Sequence, residues 1–158
     1  MPEPSFPIIN LTNQQQLLRI LAPVFALVLL SLLVLALLGT LRLRGIQGRR
    51  YPRGYFKLLQ KPPEAQLPVV GEAAARNFIN LFELPVLLYA LVPLLAVTGL
   101  WNDTSVALLW TFVALRYIHT IIHLTVNIIP LRFAAYLASA IVLGIEWARF
   151  ARAVIASA

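Results

Sequence analysis

Four long apolar stretches run along the chain, separated by short polar punctuation. The first covers about 17–41 and includes the unbroken segment Val24–Phe25–Ala26–Leu27–Val28–Leu29–Leu30. It exceeds the roughly 20 residues a helix needs to cross the hydrocarbon core of a bilayer. A cleaved signal peptide is the poorer reading, because no basic segment leads into the run and the run is too long. Pro23 falls near its expected start, where a missing N–H costs least. Three more apolar runs cover about 69–100, 106–129 and 131–155. Pro130 is expected to close the third, since the residue before a proline is driven out of the helical region. The turns at Trp101–Ser105 and Pro130–Arg132 are short, and short connections make successive helices antiparallel neighbours. The pattern therefore predicts an all-α membrane protein, an up-down bundle of four membrane-spanning helices in a single domain over 1–158.

Between the first two spans, 42–68 is polar and basic. Arg42, Arg44, Arg49, Arg50, Arg53, Lys57 and Lys61 face one acid, Glu64. Gly45, Gly48, Pro52, Gly54, Pro62 and Pro63 interrupt regular structure. A loop is expected there, with a short interfacial helix around Tyr55–Leu59. Basic residues in short loops are retained in the cytoplasm. That rule puts this loop and the Pro130–Arg132 turn inside, and both termini and the Trp101–Ser105 turn outside. Arg149 and Arg152 then lie on the outer side, against the rule.

Composition strengthens the membrane reading. Hydrophobic residues make up 60% of the 158 and charged residues 12%, against about 45–50% and about 25% in soluble domains. The net charge of +7 would suggest nucleic acid in a soluble protein. Here the basic residues cluster beside a span, where anionic lipid headgroups are the natural partner. The absence of cysteine excludes disulfides and a protein thiol as nucleophile or metal ligand.

Ionisable groups inside spans are costly and point to function. In the second span Glu72, Arg76, Asn80 and Glu83 step by four, four and three residues, one helical face. In the third, Arg116, His119, His123 and Asn127 step by three, four and four, again one face, with Arg132 just beyond. The two faces approach the membrane from the same side and are expected to converge near the cytoplasmic leaflet. The plainer reading is a set of self-neutralising stripes that hold helices together. His119 and His123 resemble half a zinc site, but a third ligand and a supporting carboxylate are required, and no metal is expected. Glu146 and Arg149 read as a local ion pair near the outer interface.

These residues resemble the MAPEG family, the membrane-associated proteins in eicosanoid and glutathione metabolism. The family's Glu-x-x-x-Arg-Ala-His-x-Asn-x-x-Glu motif is similar to Glu72-Ala-Ala-Ala-Arg76-Asn77-Phe78-Ile79-Asn80-Leu81-Phe82-Glu83. Its Arg-x-x-His-x-x-x-Tyr pattern, followed by an Arg past the turn, is similar to Arg116-Tyr-Ile-His119-Thr-Ile-Ile-His123 and Arg132. The resemblance covers nearly the whole chain. It implies a homotrimer with glutathione bound between neighbouring subunits, held by Arg76, Asn80 and Glu83 and lined by His119 and His123. Arg132 would lie near the sulfur as the catalytic residue, with Glu72, Arg116 and Asn127 in support. A thiol of pKa around 8.5 becomes nucleophilic when a cation stabilises its thiolate. The hydrophobic co-substrate would arrive from the bilayer. Phe78 in place of the motif's His, His123 in place of Tyr and Phe133 after Arg132 depart from the eicosanoid enzymes. The run Asn80–Pro85 looks more like the family's bacterial branch, which implies a bacterial inner membrane.

Three function classes follow. The leading one is a glutathione-dependent transferase or peroxidase acting on lipophilic electrophiles. The second is a non-catalytic subunit accompanying a larger membrane complex. The third is a small transporter or proton relay using His119, His123 and Glu83, disfavoured by its four spans and by the expected continuity of each helix.

Overall fold

The structure, a computed structural model, describes residues 11–48 and 69–157. Five helices form over these residues: α1 (Leu11–Gln47), α2 (Val69–Asn80), α3 (Pro85–Thr98), α4 (Asp103–Leu124) and α5 (Ile129–Ser157). They make four candidate membrane spans, with α2 and α3 sharing the second. No strand forms among the described residues.

The helix ends differ from expectation in instructive ways. α1 begins before residue 17 and continues past residue 41 to Gln47. Arg42 and Arg44 are therefore helical rather than part of a loop, because Leu, Arg and Gln are good helix formers and Gly45 alone does not stop them. Pro23 consequently sits in the interior of α1 instead of near its start. The remainder of the basic loop, with the expected Tyr55–Leu59 helix, lies outside the described residues. α4 starts early on a capping box, in which Ser105 N donates to Asn102 Oδ1 at 3.1 Å and Asn102 N to Ser105 Oγ at 3.4 Å. It stops at Leu124, earlier than expected. Pro130 does not end it but occupies the first turn of α5, where a missing N–H is no loss.

The second span is broken, not continuous. Residues 81–84 form a turn ahead of Pro85, and Pro85 is the visible cause, having no N–H to give the preceding turn. Gly99 ends α3 in the left-handed conformation at φ 68, closing on the Leu95 carbonyl.

The core runs between α1, α3, α4 and α5, through Leu27, Leu30, Leu88, Leu95, Phe112 and Leu143. Tyr117 adds a polar tie, its hydroxyl donating to Ala26 O of α1 at 2.8 Å. Phe25, Leu29, Leu32, Leu33, Ile121 and Ile141 point outward. No span has more than 39% of its most apolar window buried, so each presents a broad apolar face that water would not tolerate and lipid would.

Candidate functional site

The break at Pro85 shapes the polar centre. Around it the backbone closes in three-residue steps, Phe82 N donating to Ile79 O at 2.8 Å and Leu87 N to Leu84 O at 3.0 Å. The Asn80 carbonyl, last in α2, has no partner within its own helix. Arg116 of α4 supplies one, its Nη2 donating to Asn80 O at 2.8 Å. Arg116 is 0% exposed, and its guanidinium carbon lies 5.2 Å from the centre of the Tyr136 ring of α5. A desolvated cation over an aromatic face is stabilised by the ring quadrupole. One side chain thus joins α2, α4 and α5. Its Nε and Nη1 have no hydrogen-bond partners among the described residues.

Tyr136 reaches the other way, its hydroxyl donating to Glu83 Oε2 at 3.4 Å. Glu83 belongs to the turn, not to a helix. Arg76 and Glu83 are exposed at the surface of the chain. Arg76 Nη1 donates to Glu72 Oε2 at 3.3 Å, one helical turn back.

The link between α4 and α5 positions Arg132. Asn127 has φ 48, the left-handed region that asparagine enters more readily than most residues, and its N–H closes on Ile122 O at 2.7 Å. Its side chain receives Arg132 Nη1 at 2.9 Å. The Arg132 carbonyl accepts from His119 at 3.0 Å, which makes Nδ1 the protonated ring nitrogen, because a carbonyl cannot donate. His119 and His123 are 2% and 1% exposed and meet edge to face at 5.7 Å between ring centres. His119 Nε2 and both nitrogens of His123 have no hydrogen-bond partner among the described residues. Both rings lie inside the chain; neither reaches the surface where Arg76 and Glu83 emerge.

Three contributors, Tyr136, Asn77 and Thr120, do not belong to the stripes read from sequence. Tyr136 is four residues beyond Arg132, on the same helical face, a spacing that could have marked it. Asn77 is fully buried and accepts from Thr120 Oγ1 at 3.4 Å, with its Nδ2 unpartnered. Asn77 sits one residue off the Glu72–Arg76–Asn80 face, so the periodicity passes over it. Among the described residues no group of three or more His, Asp or Glu side chains gathers as a metal site.

A family model for the MAPEG family matches residues 20–152. The chain belongs to the MAPEG family. That match covers α2, α3 and α4 whole, most of α1 and α5, and both polar motifs. Neither the curated proteins nor the solved structures include a match to the chain. MAPEG membership establishes an integral membrane protein of the glutathione and eicosanoid metabolism family. Motif positions meet here: Arg116 binds Asn80, Tyr136 binds Glu83, and His119, with its ring centre 5.8 Å from that of Tyr136, holds the Arg132 carbonyl.

Proposed function

We propose that this MAPEG protein is a glutathione-dependent transferase or peroxidase acting on lipophilic electrophiles, assembled as a homotrimer in a bacterial inner membrane with its basic loop in the cytoplasm. One observation carries the reading. Arg116, Tyr136 and His119 tie motif residues of α2, α4 and α5 into a buried unit, with Glu83 at its exposed edge.

The residues present fit glutathione. It carries two carboxylates and an ammonium, which suit guanidinium and carboxylate partners respectively. Arg76 and Glu83 are available at the surface, and Asn80 lies between them in sequence. When bound, glutathione supplies the nucleophilic thiol. Arg76, Asn80 and Glu83 hold its backbone. Arg132 supplies the guanidinium that stabilises the thiolate. Asn127 orients Arg132, and Arg116 holds the end of α2 in place from beneath. His119 and His123 act from the interior, His119 through the Arg132 backbone.

The burial of both histidines favours a second reading, in which the polar groups only cement the helices of a non-catalytic subunit beside other membrane proteins. Calorimetry with glutathione on detergent-solubilised protein separates the two. The enzyme reading expects binding by wild type and by Arg132→Leu, thiolate absorbance in wild type alone, and turnover of an aryl halide lost in the variant more than binding is. No binding by wild type would end the enzyme reading and leave the subunit reading in front.

A further inference from the structure

At the opposite end of the bundle from the motif residues, a cavity of about 490 Å³ opens between the α3–α4 turn and the last turns of α5. Its wall combines Trp101, Asn102 and Ser105 from the turn with Glu146, Arg149 and Arg152 from α5. Glu146 is 1% exposed, and a carboxylate so buried requires a cation. Arg149 Nε provides it at 3.0 Å, while Arg149 Nη2 donates to Asn102 Oδ1 at 3.2 Å. Asn102 Oδ1 also accepts Ser105 N at 3.1 Å as the cap of α4. The Arg149 guanidinium is therefore held from two sides. Arg152, one turn further along the same face, is exposed and has no ion pair among the described residues. Ala153 and Ala156 leave the wall open beside it.

The charge balance selects the ligand. Glu146 neutralises Arg149, and Arg152 leaves one positive charge unmatched. A phosphodiester carries one negative charge and accepts several N–H donors, which guanidinium groups match in shape. Depth selects its source. At 1.5 Å per residue, Arg149 and Arg152 stand roughly 30 and 35 Å along α5 from Ile129, about the thickness of the hydrocarbon core. Trp101 in the same wall suits the headgroup level. Val97 and Ile155, close in sequence to the lining residues Gly99 and Ala156, are exposed and offer apolar surface to acyl chains.

We propose that this cavity binds the phosphodiester headgroup of a phospholipid in the leaflet opposite the basic loop, with Arg152 and Arg149 as its anion ligands. The site is independent of the glutathione reading. It also gives Arg149 and Arg152 a reason to be on that side, despite the topological preference for basic residues at the other.

Delipidated full-length protein in a non-ionic detergent provides the test, with native mass spectrometry as the readout. It is offered phosphatidylglycerol, diacylglycerol with the same chains, or inorganic phosphate. Wild type should retain one phosphatidylglycerol per chain and no diacylglycerol. Arg152→Ala, at an exposed position that folding does not depend on, should lower retention about tenfold, the loss expected for one charge-assisted hydrogen bond. Glu146→Gln removes the cavity's one negative charge at constant volume and should raise retention. Undiminished retention by Arg152→Ala, or equal retention of diacylglycerol, overturns the proposal. Displacement of the lipid by equimolar inorganic phosphate overturns the lipid assignment in favour of a soluble anion.

Discussion

Substitution of Asn127 separates what its backbone does from what its side chain does. The backbone adopts φ 48, which costs an ordinary L-residue about 1–2 kcal/mol and glycine nothing. The side chain receives Arg132 Nη1 at 2.9 Å. Hydrogen bonds to charged groups contribute about 1.5–3 kcal/mol; since Arg132 is partly exposed, about 1 kcal/mol is the safer figure. Asn127→Gly loses the side-chain bond but keeps the turn, so about 1 kcal/mol is lost. Asn127→Ala loses both, partly offset by about 0.4–1 kcal/mol because glycine has the more disordered unfolded chain. The alanine variant should therefore be the less stable by roughly 0.5–1 kcal/mol. For a chain of this size each kcal/mol is worth about 2–4 °C of melting temperature. Asn127→Asp keeps an acceptor for Arg132 and tolerates the backbone, and should melt near wild type. Thermal melting in one detergent at one protein concentration measures all three. Alanine melting with or above glycine would refute the left-handed turn as a determinant of the α4–α5 link. The aspartate variant falling with the others would refute the Arg132 contact.

Since the chain has no cysteine, topology can be read from single cysteines at Gln47 and Thr104, both exposed. An impermeant thiol reagent on intact cells should label Thr104→Cys and spare Gln47→Cys; the reverse pattern would invert the orientation. The Arg19–Asp103 pair joins α1 to α4 at 2.7 Å with both side chains largely exposed. Arg19→Ala should consequently shift stability by no more than about 0.5 kcal/mol, and a melting loss well beyond about 2 °C would show the pair to be structural. Native mass spectrometry in mild detergent should show a trimer, and a strictly monomeric protein would defeat an intersubunit glutathione site.

The four spans were legible because lipid-facing helices carry their signal in bulk hydropathy, which survives errors in phase. The internal anatomy of the second span was not legible by the same means. Leu81, Phe82 and Leu84 keep the segment largely apolar and hide the turn, and only Pro85 marks it. That break also changes what the Glu72–Arg76–Asn80–Glu83 spacing means. The first three positions share a face of α2, but Glu83 follows the helix end, so its place is set by the turn and by Tyr136 and not by periodicity. Asn77 shows the complementary failure: it points inward precisely because it is off the stripe, and it is buried where Arg76 is exposed.

The contrast between Arg76 and Asn77 carries a consequence for assembly. Asn77, Arg116, His119 and His123 are satisfied, or left unsatisfied, wholly within one chain. Arg76 and Glu83 are not enclosed by it. A charged side chain facing hydrocarbon costs about 2.5–3.5 kcal/mol near the middle of a helix, and the Glu72–Arg76 contact cancels only part of that. The outward stripe therefore needs a cover that one chain does not provide, either headgroups and water at the membrane edge or a second chain. An exposed cation and an exposed carboxylate bordering a buried, prearranged set of donors are what a subunit boundary with a zwitterionic ligand in it would require. Charge reversal distinguishes the two covers. Arg76→Glu with Glu83→Arg preserves net charge and would be tolerated at a lipid edge, but it would misalign a ligand held between subunits. Normal trimer content with glutathione binding lost in the double variant would support the boundary. Retained binding would place glutathione elsewhere on the protein.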